Sequence, residues 1–149
     1  MRVKIVFTSM IAGVVAALAV AAVAMAGSSA TPSATFVAPK KMETGSKVTF
    51  TVQLKNFKID AKNVGKANAM NKGHLHFAMD GGKFDFEKYS GPNGKLAAQL
   101  GIAGKYSPAV TPSITYANLP KGKHTLRVFL VNNDHLETGS KASMSFVVK

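Results

Sequence analysis

The residues best equipped for chemistry in this chain are four histidines, at positions 74, 76, 124 and 135. Imidazole is the commonest metal-ligating side chain and binds through a neutral ring nitrogen. His74 and His76 flank Leu75. Residues two apart on a β-strand point the same way, so this H-x-H run presents two imidazoles on one face while Leu75 anchors the other. The same spacing also fits two surface histidines near a loop.

His135 follows Asn132-Asn133-Asp134, just past the clearest strand pattern in the chain. If that strand pairs antiparallel with the H-x-H strand, the end of one lies beside the start of the other, which places His135 near His74 and His76. His124 begins the same strand. At about 3.3 Å per residue it stands roughly 23 Å from that end. It therefore reads as a turn histidine packed beside Leu119 and Pro120, and is only a secondary candidate.

Three imidazoles suit Zn²⁺ or Cu²⁺ and leave a position for water or another ligand. Asp134 adds a carboxylate that could bind directly or accept the second N–H of an imidazole. Met70 and Met79 offer thioether sulfur, which favours Cu(I). Met79 shares a face with Leu75 and Phe77 and belongs with the core, which leaves Met70 as the other secondary candidate. The sequence has no Cys, so disulfides, thiolate metal sites and a cysteine nucleophile are excluded.

Catalytic patterns are missing. No G-x-S-x-G elbow, H-E-x-x-H pair or Walker sequence occurs. The acids number seven: Glu43, Asp60, Asp80, Asp85, Glu87, Asp134 and Glu137. Asp85 and Glu87 flank Phe86 at same-face spacing and read as the solvated side of a strand rather than an acid–base pair. The expectation is a protein that binds and does not catalyse.

The elements that must position these groups are strands. Val48, Phe50, Val52 and Leu54 alternate with polar residues, the period of a half-buried strand. Residues 56–72 show little periodicity and read as a long loop. Gly73 to Asp80 alternates again, and Asp80-Gly81-Gly82-Lys83 is a tight-turn signal because Gly accepts positive φ without steric cost. Phe84 and Phe86 follow at strand spacing. Residues 90–110 are irregular, with one or two helical turns expected over Lys95 to Leu100. Ser113 to Leu119 and His124 to Val131 read as strands joined by the turn Leu119-Pro120-Lys121-Gly122. Asn132 to Lys141 reads as a polar connection, and Met144, Phe146 and Val148 mark a last strand. About seven short strands and no strong helix predict an all-β, antiparallel sandwich, immunoglobulin-like or cupredoxin-like in architecture.

Domain organisation follows from one end of the chain. Arg2 and Lys4 precede an apolar run from Ile5 to Ala26 that closes on Ala24-Met25-Ala26, the form of a secretory signal with its cleavage site. An uncleaved anchor is the alternative, since about 20 apolar residues also span a bilayer. The expected organisation is a signal peptide over 1–26, a flexible lead-in over 27–34 and a β-sandwich domain over 35–149. Such a chain would be secreted, periplasmic or held in the cell envelope, touching the membrane only through its signal segment.

The full chain of 149 residues has 19 Lys plus Arg, 7 Asp plus Glu and a formal charge of +12. Removing residues 1–26 takes away Arg2 and Lys4 and leaves a charge of +10, in which Arg127 is the single arginine. Lysine lacks the fork geometry that reads bases or grips phosphate bidentately, which argues against sequence-specific nucleic-acid binding. Residues 55–72 hold five lysines and one acid, so loose attraction to anionic envelope polymers is an alternative function that needs no metal.

Three segments carry a family likeness: Gly73-His74-Leu75-His76-Phe77 with Asp80-Gly81, then Leu119-Pro120-Lys121-Gly122-Lys123-His124-Thr125-Leu126, then Asn133-Asp134-His135. Over roughly residues 73–146 the chain resembles uncharacterised secreted bacterial β-sandwich domains marked by an H-x-H strand, an L-P-x-G-x-H-T-L turn-strand and a D-H loop. The resemblance implies an exported sandwich of a kind suspected of binding metal, with no assigned activity, and carries over His74, His76, His124, Asp134 and His135. The lysine- and glycine-rich stretch from Lys88 to Val110 is longer than in the shorter members of that group.

Overall fold

The computed structural model describes residues 30–37, 47–85, 95–96, 98–101 and 104–149. The expected signal segment, the strand position of Phe86 and the acid Glu87 lie outside the described residues. Eight strands are present among those described: β1 Ser33–Val37, β2 Lys47–Lys55, β3 Lys58–Ile59, β4 Lys72–Met79, β5 Ser107–Ala109, β6 Ser113–Ala117, β7 Gly122–Asn132 and β8 Glu137–Val148. They form two sheets. One has the order β1-β2-β6; the other has the order β3-β4-β7-β8, with β5 also paired to β4.

The two sheets form a β-sandwich because alternation along each strand gives it one apolar face. Phe50 and Val52 of β2 and Ile114 of β6 pack toward Leu75 and Phe77 of β4 and Leu126 and Val128 of β7, all buried in one core. Phe50 lies 4.9 Å from Phe146 of β8 between ring centroids, and Phe36 of β1 lies 6.4 Å from Phe77. Burying side chains of this size contributes about 1.5–3 kcal/mol each, which lets a sandwich stand without disulfides.

Sequence and structure differ where a strand is short or polar. β3 and β5 have two and three residues, too few for any periodicity to register, and β3 runs parallel to β4 beside Lys72 and Gly73. β1 has five residues and only Ala34 and Phe36, both partly buried, on its inward face. β8 begins at Glu137, inside the stretch read as a polar connection. Its inward positions there are Thr138, Ser140 and Ala142, only partly buried, so the backbone ladder to β7 holds it more than apolar side chains do. Phe84 lies in a turn rather than a strand. A bond from the Leu100 N–H to the Leu96 carbonyl (2.9 Å) marks helical winding in the stretch expected to contain it.

β4 sits in the middle of its sheet, and the antiparallel register with β7 opposes His74 to Val131, His76 to Phe129 and Gly73 to Asn132. From Gly73 to Met79 it is buried on both faces. Gly73 is required by space: a Cβ built there would fall 1.9 Å from the Val131 carbonyl oxygen. Its missing side chain lets the end of β7 close against the start of β4, where the histidines meet.

Candidate metal centre

His74 and His76 project from the face of β4 opposite the core, as the period-2 reading requires. That face is covered too. Tyr106, just before β5, stacks on His76 (5.2 Å between centroids, 24° between planes) and meets Phe129 of β7 edge-on at 5.4 Å. His135 arrives from the β7–β8 hairpin. That hairpin is closed by bonds from Asn132 N–H to the Leu136 carbonyl (2.8 Å) and from His135 N–H to the Asn132 carbonyl (3.1 Å). His135 itself is left-handed, with φ +69°, the position that usually takes Gly in a hairpin loop of this kind.

The three rings converge. His74 Nε2 lies 3.1 Å from His76 Nε2 and 3.2 Å from His135 Nδ1. One ligand atom from each residue falls within 4.8 Å of the other two. His74 and His76 are each 1% exposed and His135 is 4% exposed.

Burial pushes the pKa of His74 down to about 3, helped by neighbouring His135 and opposed by the charge of Asp134. Burial likewise lowers His76 to about 3, with His74 and His135 adding to the shift. His135 is lowered by burial against the pull of Asp134. The cluster is therefore neutral at physiological pH, the state in which imidazole nitrogens are ligands.

The geometry is also one that could hold a metal ion. A ring nitrogen has one in-plane position, occupied by a proton or by a lone pair, yet His74 Nε2 faces two other ring nitrogens. A single proton there serves only one of these contacts, whereas a cation among the three nitrogens takes a lone pair from each. Nitrogens bound tetrahedrally to zinc at about 2.0–2.1 Å stand roughly 3.3 Å apart, close to the two short separations. His74 Nδ1 and Asn133 Oδ1 are buried with no hydrogen-bond partner, which leaves capacity for water next to the cluster.

The other sequence candidates lie elsewhere. Both carboxylate oxygens of Asp134 are engaged: Asn68 Nδ2 donates to one (2.6 Å) and the Leu136 N–H to the other (3.0 Å). The charge of Asp134 reaches His74 and His135, but its oxygens serve the loop. Met70 is 77% exposed and faces solvent rather than the buried rings. His124 sits at the far end of β7, as the spacing requires. Its Nδ1 lies 2.6 Å from Asp80 Oδ2 and its Nε2 lies 2.8 Å from the Pro120 carbonyl. Both neighbours only accept, so both nitrogens carry protons and the ring is an imidazolium. Desolvation lowers its pKa, but the Asp80 and Pro120 hydrogen bonds and the Asp80 charge outweigh it, and the net shift is upward.

Asp85 overturns its reading as a solvated strand residue. Its carboxylate accepts from Tyr116 Oη (2.6 Å), Ser107 Oγ (2.8 Å) and the Met79 N–H (3.0 Å), tying β6 of one sheet to β4 and β5 of the other. Burial raises its pKa, while these three donors pull it down. Sequence reasoning also missed Asn68, Asp80 as the partner of His124, and Tyr106. Asn68 and Tyr106 sit in stretches without periodicity, and no local pattern marks them. Comparison with family models, with curated proteins and with solved structures finds no match to this chain.

Proposed function

We propose that this protein is an exported, non-enzymatic β-sandwich that binds a divalent transition metal ion, copper or zinc, through His74, His76 and His135. The observation that carries this reading is the double contact of His74 Nε2 with two other neutral, buried imidazoles at 3.1 and 3.2 Å. An all-nitrogen set of this kind suits Zn²⁺ and Cu²⁺ and leaves coordination positions for water or an incoming ligand. Binding without catalysis is supported by three acids near the histidines in sequence that have other partners: Asp134 with Asn68 and Leu136, Glu137 with the Tyr106 hydroxyl, and Asp80 with His124 and Thr125. Export is supported by the basic start, apolar run and small-residue close of residues 1–26. The resemblance to secreted bacterial sandwich domains points the same way.

Titration of purified, metal-free protein with Cu²⁺ and Zn²⁺ tests the reading. Wild type is expected to take up one ion per chain, and the His74→Ala, His76→Ala double variant to lose that site. Equal affinity in wild type and double variant overturns the assignment.

A further inference from the structure

We infer that Asn68 is a positioning residue for the third imidazole: by clamping Asp134 it holds His135 in the conformation that turns its ring onto His74 and His76. The inference rests on the metal-binding reading and adds the device that makes a three-nitrogen site out of a two-nitrogen one. Asn68 and Asp134 bond reciprocally. The Asn68 amide donates to Asp134 Oδ2 (2.6 Å) while the Asp134 N–H donates to Asn68 Oδ1 (3.0 Å). Asp134 Oδ1 then accepts the Leu136 N–H (3.0 Å), so one aspartate is held on both sides of His135.

The same two segments are joined once more beside this clamp. The Gly65 N–H bonds the Asn133 carbonyl (2.6 Å), and Asn133 Nδ2 bonds the Ala67 carbonyl (3.2 Å). These bonds add to the hairpin's own in holding His135 at φ +69°. Left-handed backbone costs a non-glycine residue of order 1–3 kcal/mol and persists only where the surroundings impose it. Without Asn68 the loop keeps the hairpin's own bonds and the Asn133 links but loses the grip on Asp134, so His135 is held less firmly while His74 and His76 stay fixed on β4.

Groups that hydrogen-bond a metal's ligands directly typically change its affinity by about 10–100-fold, and Asn68 acts one residue further out, through Asp134. Asn68 is solvent-exposed, so the lower end, about tenfold, is expected. The experiment compares wild type, Asn68→Ala, Asn68→Asp, the swapped pair Asn68→Asp with Asp134→Asn, and His135→Ala. Cu²⁺ affinity is read by competition titration, and the number of coordinated nitrogens by electron paramagnetic resonance. Asn68→Ala is expected to bind about tenfold more weakly, with the nitrogen count falling from three to two as in His135→Ala. In Asn68→Asp two carboxylates face each other and affinity falls. The swap restores the reciprocal bonds and so restores both readouts.

Wild-type affinity and nitrogen count in Asn68→Ala would overturn the proposal, as would a swapped pair that stays as weak as Asn68→Asp. If wild type binds no Cu²⁺ or Zn²⁺, the metal reading fails by itself. Positioning is then decided in metal-free protein by NMR: loss of the His74–His135 ring contact in Asn68→Ala and its return in the swap uphold it, and an unchanged contact overturns it.

Discussion

The two ends of the β4–β7 pair treat histidine in opposite ways. At one end His74, His76 and His135 face one another at 3.1 and 3.2 Å, and burial keeps them neutral. At the other, His124 is nearly as buried, 4% exposed, yet it stands between a carboxylate and a carbonyl and is charged. Burial lowers the pKa at both ends and is the largest cause of neutrality in the triad. What separates the two ends is the acceptor oxygens of Asp80 and Pro120 beside His124, which outweigh its burial. A buried neutral cluster is open to a metal, while an imidazolium locked to Asp80 is closed to one and ties the Asp80–Gly82 turn to β7.

The largest way to break this contrast is acid. In metal-free protein the triad histidines have folded pKa values below the 6.5 of the unfolded chain. Below that pH the unfolded state takes up protons that the folded state refuses. Stability therefore falls as pH drops from 6.5 toward about 3, by about 1.4 kcal/mol per pH unit for each ring kept neutral. Urea unfolding between pH 7 and pH 4, with a chelator present, measures it. Replacing His74 and His76 by glutamine should flatten the slope, and an unchanged slope would contradict the assignment of neutral rings.

Gly73→Ala comes next. The added Cβ meets backbone, not a movable side chain, so about 3 kcal/mol of stability should be lost. If the variant folds, the start of β4 parts from β7 and metal affinity falls with it. Equal stability of variant and wild type in urea would show that the strands do not close as described.

The smallest effect belongs to the charged end. His124 has its folded pKa raised above 6.5, so its contribution is complete below the unfolded value and is lost as pH rises through the folded one. His124→Asn should cost about 2 kcal/mol at pH 6 and less at pH 9, without changing metal affinity at the other end. A cost independent of pH would mean that the Asp80 pair is not ionic.

How legible these features were depended on how local they are. The alternation around Val48–Leu54, Gly73–Met79 and His124–Val131 announced β2, β4 and β7 because each side chain's face follows from its own strand. The turn at Asp80-Gly81-Gly82 was legible for the same reason; Gly81 and Gly82 adopt φ +72° and +103°. β3 and β5 were not, being too short to carry a period, and β1 offers only Ala34 and Phe36, both partly buried, as an apolar face. The first half of β8 was hidden because small and polar residues fill its partly buried positions. Asp85 was misread because its partners Ser107 and Tyr116 lie 22 and 31 residues away.

By itself the sequence determined which faces are apolar, that His74 and His76 share one, that His124 stands a strand's length from His135, and that any metal must bind without thiolates. These are consequences of backbone period and residue type. The sequence placed His135 near that pair on condition that the two strands run antiparallel. The tertiary structure supplied the register that closes the contact across 61 residues, and it alone decided that Asn68 grips Asp134 across 66. It also decided that three histidines are neutral and one is charged. Those outcomes depend on register, on loop closure and on which atoms end up beside a buried ring, none of which is a property of any short stretch of chain.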